Sequence, residues 1–310
     1  MDKIICIAGP TASGKTSLAV ELAKLYNGEV VSCDSMQIYR RMDIGTAKPT
    51  KDEMQGIVHH MLDVANPDED FSVSRYCEMA GPIVDHILSR GKTAIIAGGT
   101  GLYMDALIKG NDFAPFPATG RREELEALVS AKGIEAVIDQ LRAVDPEALD
   151  RSQGNPRRII RAMEVYLETG ETITTHNLKT QAIPPKYRPV WFALEDESRQ
   201  DLYDRIDRRV DIMLEQGLVE EIKNLLASGI PSKCTALQAI GYKEFIAALD
   251  GQCTIEEAAD EVKKSSRHYA KRQLTWFRRN PNVIWLRRAK GETTREIVEK
   301  ARPFLRDFDK

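Results

Sequence analysis

The segment GPTASGKTSLA, residues 9–19, decides the fold of this chain. It matches the pattern G-x-x-x-x-G-K-[S/T], in which glycines let successive backbone N–H groups turn toward phosphate oxygens. An apolar run at residues 4–8 predicts a buried strand before it, and leucines at helical spacing in residues 16–25 predict a helix after it. This context indicates a phosphate-binding loop. The expected phosphate contacts are Gly9, Pro10, Thr11, Ala12, Ser13, Gly14, Lys15 and Thr16.

The last two residues of the loop predict its chemistry. Lys15 is expected to neutralise the terminal phosphate, and the Thr16 hydroxyl is expected to ligate Mg²⁺. The positive end of the following helix dipole adds to anion binding. The motif specifies a polyphosphate but no particular nucleotide, because diphosphate esters present the same oxygens.

Strand and helix patterns alternate through the first third of the chain. Further strands are predicted at residues 29–33, 60–64 and 93–97, with a helix at about residues 72–90. This alternation is typical of an α/β protein. It predicts a P-loop NTPase-like, doubly wound parallel sheet.

The alternation stops between two proline-rich connectors at residues 113–120 and 182–189, where the pattern is helical only. The elements predicted after it are a strand at 190–194, helices at about 199–227 and 254–279, a strand at 283–286 and a C-terminal helix. We therefore expect an all-helical insertion within one α/β core. The predicted parts are residues 1–114, the first part of the core; 115–187, the helical insertion; and 188–310, the second part of the core.

The composition predicts an ordinary globular protein of 310 residues with a net charge of −3. The five cysteines form no C-x-x-C pair, so a zinc site or a disulfide framework is not expected, and free thiols suit the cytoplasm. No basic-then-apolar leader and no apolar run of membrane-spanning length is present, so no membrane association is expected.

A carboxylate follows the second predicted strand, in the segment SCDSMQIYR from residue 32. Asp34 has two interpretations that its spacing does not separate: a carboxylate linked to the metal, or a general base facing an acceptor. Thr100 lies in AGGTGLY at another strand end, where ligands of doubly wound sheets gather. The alternative for this segment is a plain glycine-rich turn.

Five segments in order, GPTASGKTSLA, SCDSMQIYR, AGGTGLY, AIGYKE and YAKRQLTWFR, closely resemble the tRNA dimethylallyltransferases, also called tRNA isopentenyltransferases. The likeness runs from residue 4 to about residue 287. It implies transfer of a dimethylallyl group from dimethylallyl diphosphate to the exocyclic amine of the adenosine just 3′ of a tRNA anticodon, with diphosphate released.

The resemblance also implies roles for individual residues. Lys15 and Arg209 would stabilise the departing diphosphate with Mg²⁺, and Thr100 would lie between donor and acceptor. Asp34 would take a proton from the amine, a step worth about 10²–10⁴-fold. The acceptor base must leave its stack to reach a buried diphosphate. Polar side chains from residue 34 to residue 37 suit hydrogen bonds to that base: Asp34, Ser35, Met36 and Gln37 form this segment.

Basic side chains predict an RNA-binding surface. Lys264, Arg267, His268, Lys271, Arg272 and Arg279 fall on one face of one helix, with no acid between residues 263 and 279. In the family the helical insertion grips the anticodon stem-loop. The matching arginines are Arg121, Arg122, Arg157, Arg158 and Arg161. Further contacts implied by the resemblance are Tyr242, Lys243 and Gln273.

Three alternatives compete with this hypothesis: a kinase of a small metabolite, a prenyltransferase acting on free adenine nucleotides, and an inactive nucleic-acid-binding module. The absence of a second carboxylate motif disfavours the kinase. The insertion arginines disfavour free nucleotides. An intact set of Lys15, Thr16, Asp34 and Thr100 disfavours the inactive module. We also expect a monomer.

Overall fold

The structure, a computed structural model, describes residues 1–110 and 119–308. A six-stranded sheet forms its centre. The strands are β1 (Lys3–Ala8), β2 (Gly28–Ser32), β3 (His59–His60), β4 (Thr93–Ala97), β5 (Arg188–Asp196) and β6 (Val283–Arg288).

All strand pairs are parallel, in the order β3-β2-β4-β1-β5-β6. The predicted α/β class with a parallel sheet is therefore confirmed. Because β2, β4 and β1 are neighbours, the loops that follow their carboxyl ends meet at one edge of the sheet. Ligands of such sheets bind at that edge.

Fourteen α-helices lie in the described residues. They are α1 (Lys15–Leu25), α2 (Lys51–Met54), α3 (Val73–Ser89), α4 (Gly101–Lys109), α5 (Arg121–Lys132), α6 (Glu135–Val144), α7 (Pro146–Ser152), α8 (Pro156–Thr169), α9 (Ile173–Gln181), α10 (Arg199–Glu215), α11 (Leu218–Ala227), α12 (Lys243–Leu249), α13 (Ile255–Phe277) and α14 (Thr294–Ala301). Among these helices, none has both the length and the apolar composition of a transmembrane span.

The chain divides into two compact units, residues 1–110 with 186–310, and residues 111–185. The boundary predicted at residue 114, and residues 113–118 of the predicted connector, lie outside the described residues. The second boundary lies two residues before the predicted one, because Lys186 and Tyr187 both contact Asp85 of α3, at 2.7 and 2.8 Å.

Alternate residues of each central strand pack on opposite faces of the sheet. In β1, Ile4 and Cys6 pack with residues of α3 and α4, whereas Ile5 and Ile7 pack with residues of α1 and α14. Both faces are fully buried, as a parallel sheet covered by helices requires. This packing fixes the end of β1, and therefore the loop that follows it.

Two predicted elements differ from the structure. The third strand was predicted at residues 60–64 but ends at His60, because Met61 has a left-handed backbone with φ of 61°. The helix predicted at 199–227 is two helices, because Gly217 adopts φ of 97° between α10 and α11.

The second unit is helical in its described residues, and helices α5 to α8 share a core around Val137, Leu141 and Ile159. Asp145 holds the corner between α6 and α7. Its buried carboxylate accepts hydrogen bonds from the Ala148 N–H and from the Thr174 hydroxyl, at 3.0 and 2.7 Å.

A buried carboxylate stabilises the first unit at the opposite end of the sheet. Glu29 of β2 accepts hydrogen bonds from Arg90 at 2.8 Å and from Lys92 at 2.7 Å, and His60 lies 2.8 Å from it. The hydrogen bonds from Arg90 hold the pKa of Glu29 well below its usual range. Because the lowered pKa belongs to the folded state, this stabilisation is complete above the unfolded pKa of about 4.3 and is lost as the pH falls below it.

We expect Glu29→Gln to lower the free energy of unfolding by about 2 kcal/mol at neutral pH. The value lies below that of a wholly buried pair because Arg90 and Lys92 keep partial contact with water. Urea denaturation of both proteins at pH 7.5 and pH 4 measures the effect, and the difference should shrink at the acidic pH. Glu78→Gln, on the exposed face of α3, is the control. An equal loss at both pH values would contradict the ionic origin.

Candidate active site

The loop at residues 9–16 wraps from the end of β1 into α1. Gly9, Ala12 and Gly14 have φ of 144°, 60° and 87°, and these left-handed positions bend the backbone into a cradle. Gly14 caps α1 without a side-chain hydrogen bond, so the first N–H groups of the helix are free to bind an anion. The Ser13 hydroxyl is buried and has no partner among residues 1–110 and 119–308.

Lys15 lies in this cradle, and Arg209 of α10 is close enough to act on its charge. Lys15 Nζ donates to the Pro10 carbonyl at 2.6 Å. Burial lowers the pKa of Lys15 to about 8, against the opposing effect of Asp34, and Arg209 lowers it further. Burial also lowers the pKa of Arg209. Both groups are therefore desolvated cations, which gain from a bound anion.

Arg205 supports the loop from α10. Its Nε donates to the Ala12 carbonyl at 2.9 Å, and its guanidinium pairs with Asp196 at the end of β5. The Arg205 side chain therefore links the phosphate loop to the end of β5.

Asp34 follows β2 and shapes its own turn. Its Oδ1 accepts from the Met36 N–H at 2.9 Å and, less closely, from the Gln37 N–H at 3.4 Å. Within the described part of the chain no group donates to Oδ2. One carboxylate oxygen therefore fixes the loop, and the other is free to accept a proton.

Thr100 joins the loop after β4 to the loop after β2. Its Oγ1 accepts from the Ser35 N–H at 3.0 Å and donates to the Ser35 hydroxyl at 3.3 Å. Tyr269 of α13 lies near this pair of loops, and burial, with Asp34 nearby, raises the pKa of Tyr269 to about 12. The sequence offers one signal for Tyr269, its spacing of four residues from Gln273, which places both side chains on one face of α13.

Gln273 of α13 connects the phosphate loop to the loop after β4. Its Oε1 accepts from the Thr11 N–H at 3.1 Å, and its Nε2 donates to the Gly99 carbonyl at 3.0 Å. The side chain is buried, and a Cβ at Gly99 would lie 2.1 Å from Nε2. We therefore assign Gln273 to positioning the two loops rather than to the predicted RNA contact.

The other residues of the 34–37 segment are half-buried. The Gln37 amide is already used, because Oε1 accepts from the Ser32 hydroxyl at 3.1 Å and Nε2 donates to the Thr46 and Ala47 carbonyls at 3.3 and 3.2 Å. Met36 packs against the cluster that includes Ile38. The predicted contacts of this segment with a base stay predictions.

Tyr242 is wholly buried, and this corrects its predicted role. Its hydroxyl donates to Glu221 at 2.7 Å, and its ring lies so close to Gly45 that a Cβ there would be 2.5 Å away. The same carboxylate accepts backbone N–H groups of residues 43–45. The Tyr242 side chain therefore shapes a loop and presents no surface to RNA, whereas Lys243 is exposed.

The basic face of α13 is less uniform than its sequence indicates. Arg267 pairs with Asp207 at 2.5 Å and Lys263 pairs with Asp211 at 2.6 Å, because α10 packs beside α13. The expectation of a single-sign face is wrong at these positions. Lys271 and Arg272 are exposed and lie in no ion pair with another described residue.

The arginines of the second unit fall into two groups. Three of them form ion pairs with nearby acids on their own helices: Arg121 with Glu124, Arg122 with Glu126, and Arg161 with Glu164. Arg157 and Arg158 are exposed in the first turn of α8, and Asn155 accepts both backbone N–H groups. Neither guanidinium pairs with a carboxylate of residues 119–308.

Comparison with known proteins places these features in one family. The family model for IPP transferase matches residues 37–280. A tRNA dimethylallyltransferase of Acetivibrio thermocellus is 43% identical over 99% of both chains. One of Halalkalibacterium halodurans is 46% identical over 96% of this chain and 95% of the relative.

Solved structures agree with the sequence relatives. A full-length tRNA isopentenylpyrophosphate transferase from Bacillus halodurans has a TM-score of 0.75 and 43% identity, covering 100% of this chain and 97% of that one. A eukaryotic dimethylallyltransferase acting on tRNA has a TM-score of 0.84 and 28% identity, covering 99% of this chain and 80% of that one.

Proposed function

Because this chain belongs to the IPP transferase family, we propose that it transfers a dimethylallyl group to tRNA. The donor is dimethylallyl diphosphate, and the acceptor is the exocyclic amine of the adenosine 3′-adjacent to the anticodon. The C–O bond between the prenyl carbon and the diphosphate breaks, and a bond from that carbon to the amine nitrogen forms. The amine proton passes to the enzyme, and diphosphate leaves.

This proposal rests on one set of hydrogen bonds. Gln273 bonds both the phosphate loop and the loop after β4, and Thr100 of the loop after β4 bonds the segment that begins at Asp34. A diphosphate site and a free carboxylate oxygen are therefore held on one framework of hydrogen bonds. Positioning of this kind is a large source of rate in group transfer.

The phosphate loop would hold the donor. Lys15 and Arg209 are desolvated cations, so they stabilise the negative charge that grows on the leaving oxygens. The Thr16 hydroxyl, in the first turn of α1, has no hydrogen-bond partner among the described residues and fits Mg²⁺, which usually takes few protein ligands. Mg²⁺ bound there would neutralise part of the diphosphate charge.

Asp34 would act as the general base. The adenine amine is a weak nucleophile because its lone pair is delocalised into the ring, so removal of its proton during attack makes it competent. Oδ2 is available for that proton, while Oδ1 stays bound to the Met36 N–H. The Thr100 hydroxyl, held by Ser35, would orient the base or the donor oxygen.

Exposed basic residues would bind the anticodon stem-loop. Lys271 and Arg272 supply cations on the first unit, and Arg157 and Arg158 supply them on the second. The target base would leave its stack to reach the site. We also infer an enzyme of the cytoplasm, since the five cysteines are free thiols, and we propose that it acts as a monomer.

Incubation of the purified protein with radioactive dimethylallyl diphosphate, Mg²⁺ and tRNA tests this proposal. We expect label in tRNA without ATP, and nuclease mapping should place it on the adenosine next to the anticodon. The same donor with AMP is the control for free-nucleotide acceptors.

Two results would contradict the assignment. Faster labelling of AMP than of tRNA would assign the acceptor to free nucleotides. Strict dependence on ATP, with no use of the prenyl donor, would favour the kinase alternative.

A further inference from the structure

Arg288 ends β6, and its guanidinium reaches the phosphate loop. A Cβ at Gly14 would lie 2.7 Å from one terminal nitrogen of Arg288 and 3.2 Å from the other. Gly14 is the residue that caps α1, directly before Lys15. The Arg288 guanidinium therefore lies against the loop at the point where the N–H groups of the helix begin.

This guanidinium has no acceptor in the described structure, residues 1–110 and 119–308. Its Nε is buried without a hydrogen-bond partner. Two acids act on the charge of Arg288, and both form ion pairs with other residues. Asp196 pairs with Arg205, and Glu292 pairs with Lys300 at 2.6 Å. A buried donor left without an acceptor is costly, so such a group usually serves a bound ligand.

Positive charge around Arg288 strengthens this conclusion. Burial and the neighbouring Arg205 both lower the pKa of Arg288. The guanidinium groups of Arg205 and Arg288 and the ammonium of Lys15 repel one another in the free protein. An anion bound in the loop would reduce that repulsion. A guanidinium also presents paired N–H groups that match two phosphate oxygens.

We propose that Arg288 is a further diphosphate-binding residue of this site, beside Lys15 and Arg209. The proposal rests on the proposed function, since it takes the diphosphate of the donor as the ligand. It adds a contact from β6, the edge strand of the sheet. Neither the loop motif nor the segments that carry the family resemblance include this arginine.

Binding of inorganic pyrophosphate with Mg²⁺, measured by isothermal titration calorimetry, tests the proposal directly. Arg288→Gln is expected to weaken pyrophosphate about tenfold or more, because a charge-assisted contact is lost. Arg288→Lys should retain part of the affinity, since it keeps the charge without the paired N–H groups. Arg287→Gln is the matched control: it neighbours Arg288 in β6, and its side chain is 72% exposed.

Kinetics separate binding from a structural role. We expect KM for dimethylallyl diphosphate to rise in Arg288→Gln while KM for tRNA and the melting temperature stay close to those of the wild type. If Arg288→Gln does not fold, Arg288→Lys provides the same comparison.

The outcomes distinguish this inference from the proposed function. Wild-type affinity for pyrophosphate in Arg288→Gln or, should only that variant fold, in Arg288→Lys would overturn the role of Arg288 alone. A wild-type protein that binds neither pyrophosphate nor dimethylallyl diphosphate would overturn the proposed function, and this inference with it.

Discussion

Replacement of Asp34 by asparagine is expected to lower turnover by about 10²–10⁴-fold and to leave tRNA affinity nearly unchanged. Asparagine keeps an oxygen that can accept from the Met36 N–H, so the turn after β2 should survive. It cannot take a proton from the adenine amine at neutral pH. The substitution therefore removes the base while preserving the shape of the loop.

Single-turnover labelling of tRNA measures this effect without a contribution from product release. A filter-binding assay with the same tRNA reports affinity. Asp52→Asn, on the exposed first turn of α2, is the control for a change of one charge. Near-normal turnover in Asp34→Asn would limit Asp34 to shaping the loop. A parallel loss of tRNA affinity would mean that the segment itself had moved.

Local sequence signals predicted the centre of the site. The phosphate loop was identified because its glycines, lysine and threonine lie between a strand and a helix, a context confined to residues 4–25. Asp34 and Thr100 were predicted as site residues because each follows a strand, and the carboxyl ends of parallel strands share one edge of the sheet. Alternation of strands and helices likewise predicted the parallel sheet.

Residues that act across the fold were missed or misassigned. Arg288 and Tyr269 reach the site from elements far along the chain, and no spacing in the sequence relates them to the loops. Tyr242 lies in a segment typical of the family, but its sequence position does not reveal that Gly45 and Glu221 enclose its ring and hydroxyl.

The basic residues of α13 gave an incomplete picture of the charge on that face of the helix. The acids that pair with Arg267 and Lys263 lie on α10, so only the packing of two helices reveals them. Arg157 is exposed in the first turn of its helix, and its predicted contact with tRNA stays a prediction. Ion pairs between side chains of different helices are not visible in the residue pattern of either helix alone.

Replacement of Lys15 by alanine is expected to lower turnover by on the order of 10³-fold and to weaken pyrophosphate binding severely. Lys15 Nζ lies within the loop, where it donates to the Pro10 carbonyl, so in the proposed site it would stabilise the charge that develops on the leaving group. Lys24→Ala, on the exposed face of the same helix, is the control, because its ammonium pairs with Glu21 instead.

The wild type should also show a pH dependence that Lys15 explains. Its pKa is lowered to about 8 by burial, so the ammonium is partly deprotonated above that pH in the free protein. Bound diphosphate favours the ammonium and raises this pKa, so binding takes up a proton and affinity falls as the pH rises through 8. Lys15→Arg stays charged and should lack this fall. Calorimetry of both proteins from pH 7 to pH 9.5 isolates Lys15, because ionisation of pyrophosphate is common to the two. Parallel pH profiles would exclude Lys15 as the titrating group.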